Sequence, residues 1–420
     1  MSKTKELSIG ENIAWNSIGN LIYLIAQWAL SYVVVRFLGY GLAGTFSLAM
    51  SIGNSLNAIA TYSMRNYQVS DLKGDYSDSQ YILSRVLTSG ISFIVCIAFT
   101  GFNPYDAYTS LCIIIYMTFK ISEAASDVYQ GLLQRVGRMD YIGKAYILKS
   151  LVDLVLYCGI LLFTRNLLLA ICGLSAGSAA VVCLYERASV RQFSNSGNRD
   201  TGTKNNLKKA LSLLVVCLPI ALYGLFFNTM GQVPRYALEA MLGSDSLGIY
   251  TSVAMPVTLV QVSANYLFAP LTAPLAQCYI DKNTQRFYSI IKKVGLAIAV
   301  IAACAFAGFG ILGRPVMRLL FGDSILPYLY LLYPLIVCSL LVAVSWFLSA
   351  ALTVVRQLKG QLLMAFASFT ISSCLSPLFI SLYGMNGATF SYTIALFVFS
   401  VGSMLLLLKS FNPSVLHYSN

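Results

Sequence analysis

The chain has 420 residues, 57% hydrophobic and 10% charged, with a net charge of +12 and a mean hydropathy of +0.72. Soluble domains carry roughly 25% charged residues, so a water-soluble fold is excluded. A lone histidine, His417 in the C-terminal tail, leaves catalytic triads, histidine metal sites and histidine proton relays without their key residue.

A membrane span needs about 20 apolar residues to cross about 30 Å of hydrocarbon. That length predicts helices over 13–35, 41–62, 82–100, 108–130, 145–164 and 167–185, then 210–230, 246–270, 294–313, 327–350, 361–382 and 387–408. The fold class is an all-α integral membrane protein of about 12 transmembrane helices. The first span is too long for a cleavable signal, and no small-residue cleavage site follows it. Between the sixth and seventh spans, the polar stretch 186–209 reads as a flexible cytoplasmic linker. It divides an N-terminal six-helix bundle (1–185) from a C-terminal one with a short tail (210–420). The ten cysteines lie mostly in apolar stretches, form no CxxC pair, and read as small buried residues.

With the N-terminus in the cytoplasm, 22 of the 28 Lys and Arg residues fall on the cytoplasmic side. Arg36, Arg165, Arg235, Arg314 and Arg318 fall outside, and Lys120 lies within a span. This is the positive-inside pattern, with both termini cytoplasmic. The net charge reflects topology and anionic lipid, and gives no hint of nucleic acid.

The two halves share a weak repeat. Leu38-Gly39, Leu42-Ala43-Gly44 and Ala49-Met50 recur as Leu242-Gly243, Leu247-Gly248 and Ala254-Met255. Polar stripes at helical spacing also correspond. They are Asn16, Asn20, Tyr23 and Gln27; Ser47, Ser51, Asn54, Thr61 and Arg65; Asn228 and Gln232; and Thr251, Thr258, Gln261 and Asn265. Any one stripe can be helix–helix glue. Four in corresponding helices favour a hydrated central cavity, because polar groups do not face lipid.

Charges inside spans are costly, about 2.5–3.5 kcal/mol each at a helix centre. Lys120, Glu123 and Asp127 share a face of the fourth helix, and Lys149 and Asp153 stand one turn apart on the fifth. Self-neutralising Lys120–Glu123 and Lys149–Asp153 pairs are one reading. The other is an ion-coupling site (Glu123, Asp127, Asp153) beside a substrate site. Asp127 supports the second reading, because no cation stands near it in sequence. Arg36 reads as an interfacial anchor, whereas Arg65 extends a polar stripe to the cytoplasmic mouth and suits a phosphate.

"GENIAWNSIGNLI" and "VVVRFLGYGLAGTFSLA" resemble the polysaccharide exporters of the MATE-like (MOP) superfamily. "MRNYQVSDLKGDYSDSQYILSR" (64–85) and "YQGLLQRVGRMDYIGKAYILKS" (129–150) are similar to Wzx-type O-antigen and capsule repeat-unit flippases. The resemblance implies two six-helix bundles around a central cavity, working by alternating access without cofactor, metal or covalent chemistry. It implies an undecaprenyl-diphosphate-linked oligosaccharide as substrate, flipped to the outer leaflet of a bacterial inner membrane. Its implied partners are membrane lipids and a polysaccharide polymerase.

The residues suit that work. A diphosphate in a membrane needs cations, here Lys120 and Arg65, and amides suit sugar hydroxyls: Asn16, Asn20, Gln27, Asn54, Asn228, Gln232, Gln261 and Asn265. A MATE-type cation or drug exporter shares the fold and would use the acidic residues. A membrane polymerase or glycosyltransferase would need a larger outer loop than 101–107, 231–245 or 314–326 offers. No Walker A motif or selectivity-filter segment is present.

Overall fold

The computed structural model describes residues 8–71, 74–193, 203–268, 271–281 and 283–410. His417, positions 72–73 of the 64–85 motif, most of the middle of the 186–209 segment and the side chain of Asn265 lie outside that description. The described residues are mainly helical and contain no strand. Nine helical stretches among them are long and apolar enough to cross a membrane. Two of these, 10–61 and 206–264, run about twice a bilayer's length at 1.5 Å per residue, so each accounts for two of the predicted spans. The remaining predicted span is α4 (Ala107–Arg135), which carries Lys120, Glu123 and Asp127 and is less apolar for that reason. The chain is a multi-pass membrane protein.

Contacts divide the chain into two compact units, Met1–Leu225 and Phe226–Asn420. In the first unit, α1 (Ile9–Thr61) opens with a capping box. The Ser8 hydroxyl accepts from the Glu11 backbone N–H at 3.2 Å, and the Glu11 carboxylate accepts from the Ser8 N–H at 2.8 Å. Sequence reading separated 13–35 from 41–62, but the helix runs through both with a kink at Gly39. There φ is 83° and ψ −179°, backbone that only glycine adopts readily. A short α2 (Met64–Ser70) precedes α3 (Asp78–Phe102), α4, α5 (Met139–Thr164) and α6 (Leu167–Val181). The expected linker does not begin at residue 186. Helix continues from α6 through a π-helical turn (Val182–Glu186) into α7 (Arg187–Phe193), and α8 (Thr203–Met230) begins before the expected boundary.

Packing within this unit follows membrane logic, in which small residues and hydroxyls join helices. A Cβ on Gly19 of α1 would fall 2.6 Å from the Cα of Gly143 on α5, so these two helices touch backbone to backbone. Ser92 donates to the Leu56 carbonyl at 2.7 Å and Thr88 to that of Ala60 at 2.7 Å, tying α3 to the second half of α1. Phe46, Tyr116 and Tyr157 form a buried aromatic group.

The second unit contains α9 (Val233–Phe268), α10 (Thr272–Ile280), α11 (Thr284–Phe321), a 3-10 segment (Asp323–Leu331), α12 (Leu332–Val354), α13 (Leu358–Tyr383) and α14 (Met385–Ser410). Gly243 kinks α9 with φ 80° and ψ 169°, the same backbone state as Gly39. The repeat legible in the sequence therefore recurs as a conformation. Hydroxyl pairs again join helices: Ser345 with Ser400 at 3.0 Å, Ser376 with Ser391 at 3.1 Å, and Tyr250 with Thr389 at 3.1 Å.

Candidate functional site

The Gly19–Gly143 approach sets α1 and α5 close at one level. Beyond it, the polar faces of α1, α4 and α5 enclose a cavity of about 260 Å³ inside the first unit. Helix α1 contributes Asn20, Tyr23, Leu24, Asn57 and Thr61; α4 contributes Glu123, Ser126, Asp127 and Gln130; α5 contributes Tyr146 and Lys149. Ten of its eleven lining residues carry an amide, hydroxyl, carboxylate or ammonium group, inside helices of membrane-spanning length.

The charges are arranged in two groups. Lys120 Nζ lies 2.6 Å from Glu123 Oε2, and the Tyr23 hydroxyl donates to the other oxygen of Glu123. The expected Lys120–Glu123 pair therefore exists, and it is also bound to α1. In the second group, Arg85 of α3 lies 2.7 Å from Asp127 Oδ2, and Arg65 lies 3.5 Å from Oδ1. Asp127 appears in the sequence without a cation and has two in the fold. Arg65 also donates to Gln134 at 3.1 Å and to Gln130 at 3.1 Å. These contacts use Nε and Nη1, and a guanidinium has five N–H donors, so an anion can be met without breaking them.

Lys149 and Asp153 do not form the expected contact. Lys149 is 2% exposed, lines the cavity and makes no ion pair among the described residues. Asp153, one turn on, is fully buried near Gly177 of α6, and neither of its carboxylate oxygens has a hydrogen-bond partner. Lys149 thus faces the cavity, whereas Asp153 is not among the residues that line it.

The other predicted residues are more dispersed. Asn16 and Gln27 are half-buried on α1, and Gln27 Nε2 is enclosed without a partner. Asn54 is half-buried one turn before Asn57, which does line the cavity. In the second unit, Asn228 is exposed near the end of α8 and Gln232 accepts from Arg235 at 3.4 Å. Gln261 is half-buried on α9. On the same helix, the hydroxyls of Thr251 and Thr258 bond to their own turn.

Sequence reasoning missed Asn57, Ser126, Gln130 and Tyr146, which line the cavity, and Arg85 and Glu186, which bond to residues that do. Gln130 could have been found, since it stands three residues after Asp127 on the α4 stripe. Its Oε1 accepts from Tyr146 at 2.9 Å, and its Nε2 donates to Ser126 at 2.9 Å and Glu186 at 3.2 Å.

A family model described as "Polysaccharide biosynthesis protein" matches residues 9–276, which include all the cavity residues. A capsular polysaccharide biosynthesis protein, CapF of Staphylococcus aureus, is 21% identical over 316 residues, covering 75% of this chain and 78% of that protein. Among solved structures, the lipid II flippase MurJ in an inward closed conformation aligns with a TM-score of 0.66 at 13% identity, over 94% of this chain and 88% of that one. The MATE transporter VcmN of Vibrio cholerae aligns with a TM-score of 0.65 at 12% identity, over 95% of each chain. At these identities the structural likeness speaks for the fold, a MATE-like helical membrane architecture.

Proposed function

The chain belongs to the polysaccharide biosynthesis protein family, and from that premise we propose that it flips an undecaprenyl-diphosphate-linked oligosaccharide across a bacterial inner membrane. The lipid-linked repeat unit passes from the cytoplasmic to the outer leaflet, where a polysaccharide polymerase receives it. The protein is a transporter, and no bond of the substrate need be made or broken. Both termini lie in the cytoplasm, on the side rich in Lys and Arg.

The observation that carries this reading is the cavity of the N-terminal unit. It offers amides and hydroxyls for sugar and one buried ammonium, Lys149, without an ion-pair partner. A diphosphate that leaves water must exchange hydration for such groups. Arg65 stands behind Asp127 and Gln130 as a second cation for the same anion. Asp153 is the carboxyl best placed to couple movement to a proton or sodium gradient, since Glu123 and Asp127 are already engaged by cations. Those engagements also weigh against export of lipophilic cations, which would need free carboxylates facing the cavity.

The test is translocation of a labelled undecaprenyl-diphosphate oligosaccharide in vesicles holding the purified chain, with and without an ion gradient. Movement above protein-free vesicles is expected. No movement, together with export of a lipophilic cation, would reverse the assignment.

A further inference from the structure

The turn at Val182–Glu186 is π-helical, an irregularity that recurs at functional positions and that directs a side chain away from regular helical register. Here the chain at that turn places Glu186 against α4. Glu186 is fully buried, and among the described residues it forms no ion pair. Its Oε1 accepts from the Ser126 hydroxyl at 2.5 Å and from Gln130 Nε2 at 3.2 Å, while Oε2 has no partner. A buried acid without a cation is costly. This one spends its only bonds on two residues that line the cavity.

Gln130 stands between opposites. A guanidinium carries only donors and a carboxylate only acceptors. The carboxamide therefore fits one way, with its oxygen toward Arg65 and Tyr146 and its nitrogen toward Glu186 and Ser126. Were it turned over, its NH2 would meet the Arg65 guanidinium donor to donor. We infer that Glu186 is a positioning residue: it fixes the Gln130 carboxamide and, through it, fastens Arg65 across the end of the N-terminal cavity. The three elements involved are α4, the π-helical turn and α2, which holds Arg65. Glu186 itself does not line the cavity and acts on it only through Ser126 and Gln130.

This relation is independent of what the protein carries, and its test needs no substrate. Thr61 lines the cavity at the end of α1, four residues before Arg65. In the purified full chain carrying Thr61→Cys, labelling at position 61 by a water-soluble maleimide is followed by mass spectrometry. Glu186→Leu removes the acceptor, so labelling should accelerate about tenfold, the scale of one charge-assisted hydrogen bond. Glu186→Gln keeps an acceptor oxygen and should label near the parent rate. In a Gln130→Leu background, Glu186→Leu should add nothing.

A second arm covers failure of Glu186→Leu to fold. Gln130→Glu sets two carboxylates face to face and should accelerate labelling, and adding Glu186→Gln restores a donor opposite an acceptor and should return the parent rate. Additive effects in the Gln130→Leu background, equal labelling in Glu186→Leu and the parent, or no rescue by the exchanged pair would each overturn the inference. None of these results depends on the transport assay, so either reading can fail alone.

Discussion

Arg85 of α3 and Asp127 of α4 form a 2.7 Å ion pair in which the arginine side chain is 2% exposed. The same guanidinium donates to the Ala60 carbonyl at 2.8 Å, near the end of α1, so one side chain joins three helical segments of the N-terminal unit. Arg65 meets the other oxygen of Asp127 from a more open position, 24% exposed. Removing one partner of a buried pair leaves an uncompensated charge, which costs about 3–5 kcal/mol.

Arg85→Ala should therefore destabilise the protein strongly, and Arg65→Ala much less, because the Arg65 pair is longer and reached by solvent. Thermal unfolding of both variants in detergent checks the order. Equal losses would mean that burial does not distinguish the two arginines.

Lys149 and Lys120 make a second contrast. Lys120 is bound to Glu123 at 2.6 Å, whereas Lys149 faces the cavity without an ion pair. If an available cation receives the diphosphate, Lys149→Met should lower translocation about tenfold or more, on the scale of a lost charge-assisted hydrogen bond. Lys120→Met should have the smaller effect on transport and the larger one on stability, since it removes the ion-pair partner of Glu123. Vesicle translocation beside thermal unfolding separates the two, and transport losses in the reverse order would move the anion site to Lys120.

How these side chains divide shows what the sequence could disclose. Helix order followed from apolar run length, and the Lys120–Glu123 pair from i, i+3 spacing, because both are properties of one helix. Partners on other helices are not written in local spacing. Asp127 seemed to lack a cation because Arg85 stands 42 residues away and meets it only when α3 packs on α4. Lys149 and Asp153 have the right spacing for a pair, yet Asp153 accepts no hydrogen bond and the two form no ion pair among the described residues. Glu186 looked like the start of a linker because polar residues follow it, while the chain itself continues as helix to Phe193.

Asp71 gives a pH-dependent test outside the spans. Burial disfavours its charged form, but the carboxylate accepts from the backbone N–H groups of Asp75 at 2.9 Å and Tyr76 at 3.2 Å and from the Tyr81 hydroxyl at 2.9 Å. These bonds prevail, holding its pKa below the ordinary value of 3.8. A carboxylate with a depressed folded pKa contributes stability in full above its unfolded value and loses it as pH falls through the folded one. Asp71→Ala should thus cost about 1.5–3 kcal/mol at neutral pH. The parent and variant melting temperatures should converge as pH drops below 3.8. A gap that persists in acid would assign the loss to packing around Tyr81.

The two kink glycines carry a prediction that tests the internal repeat as mechanics. Gly39 and Gly243 share φ near 80°, and a Cβ on either would meet nothing within 4 Å. Substitution by alanine is therefore opposed by backbone conformation alone, at about 1–3 kcal/mol each. Gly39→Ala and Gly243→Ala should lose similar stability, because the backbone state is the same in both units. Gly19→Ala makes the control, since its Cβ would fall 2.6 Å from the Gly143 Cα and force α1 away from α5. That variant should disturb the N-terminal cavity directly and accelerate cysteine labelling at position 61, whereas the kink variants should lose stability without that local signature. If Gly39→Ala were tolerated and Gly243→Ala were not, the shared backbone state would have no shared energetic role, and the repeat would be one of sequence only.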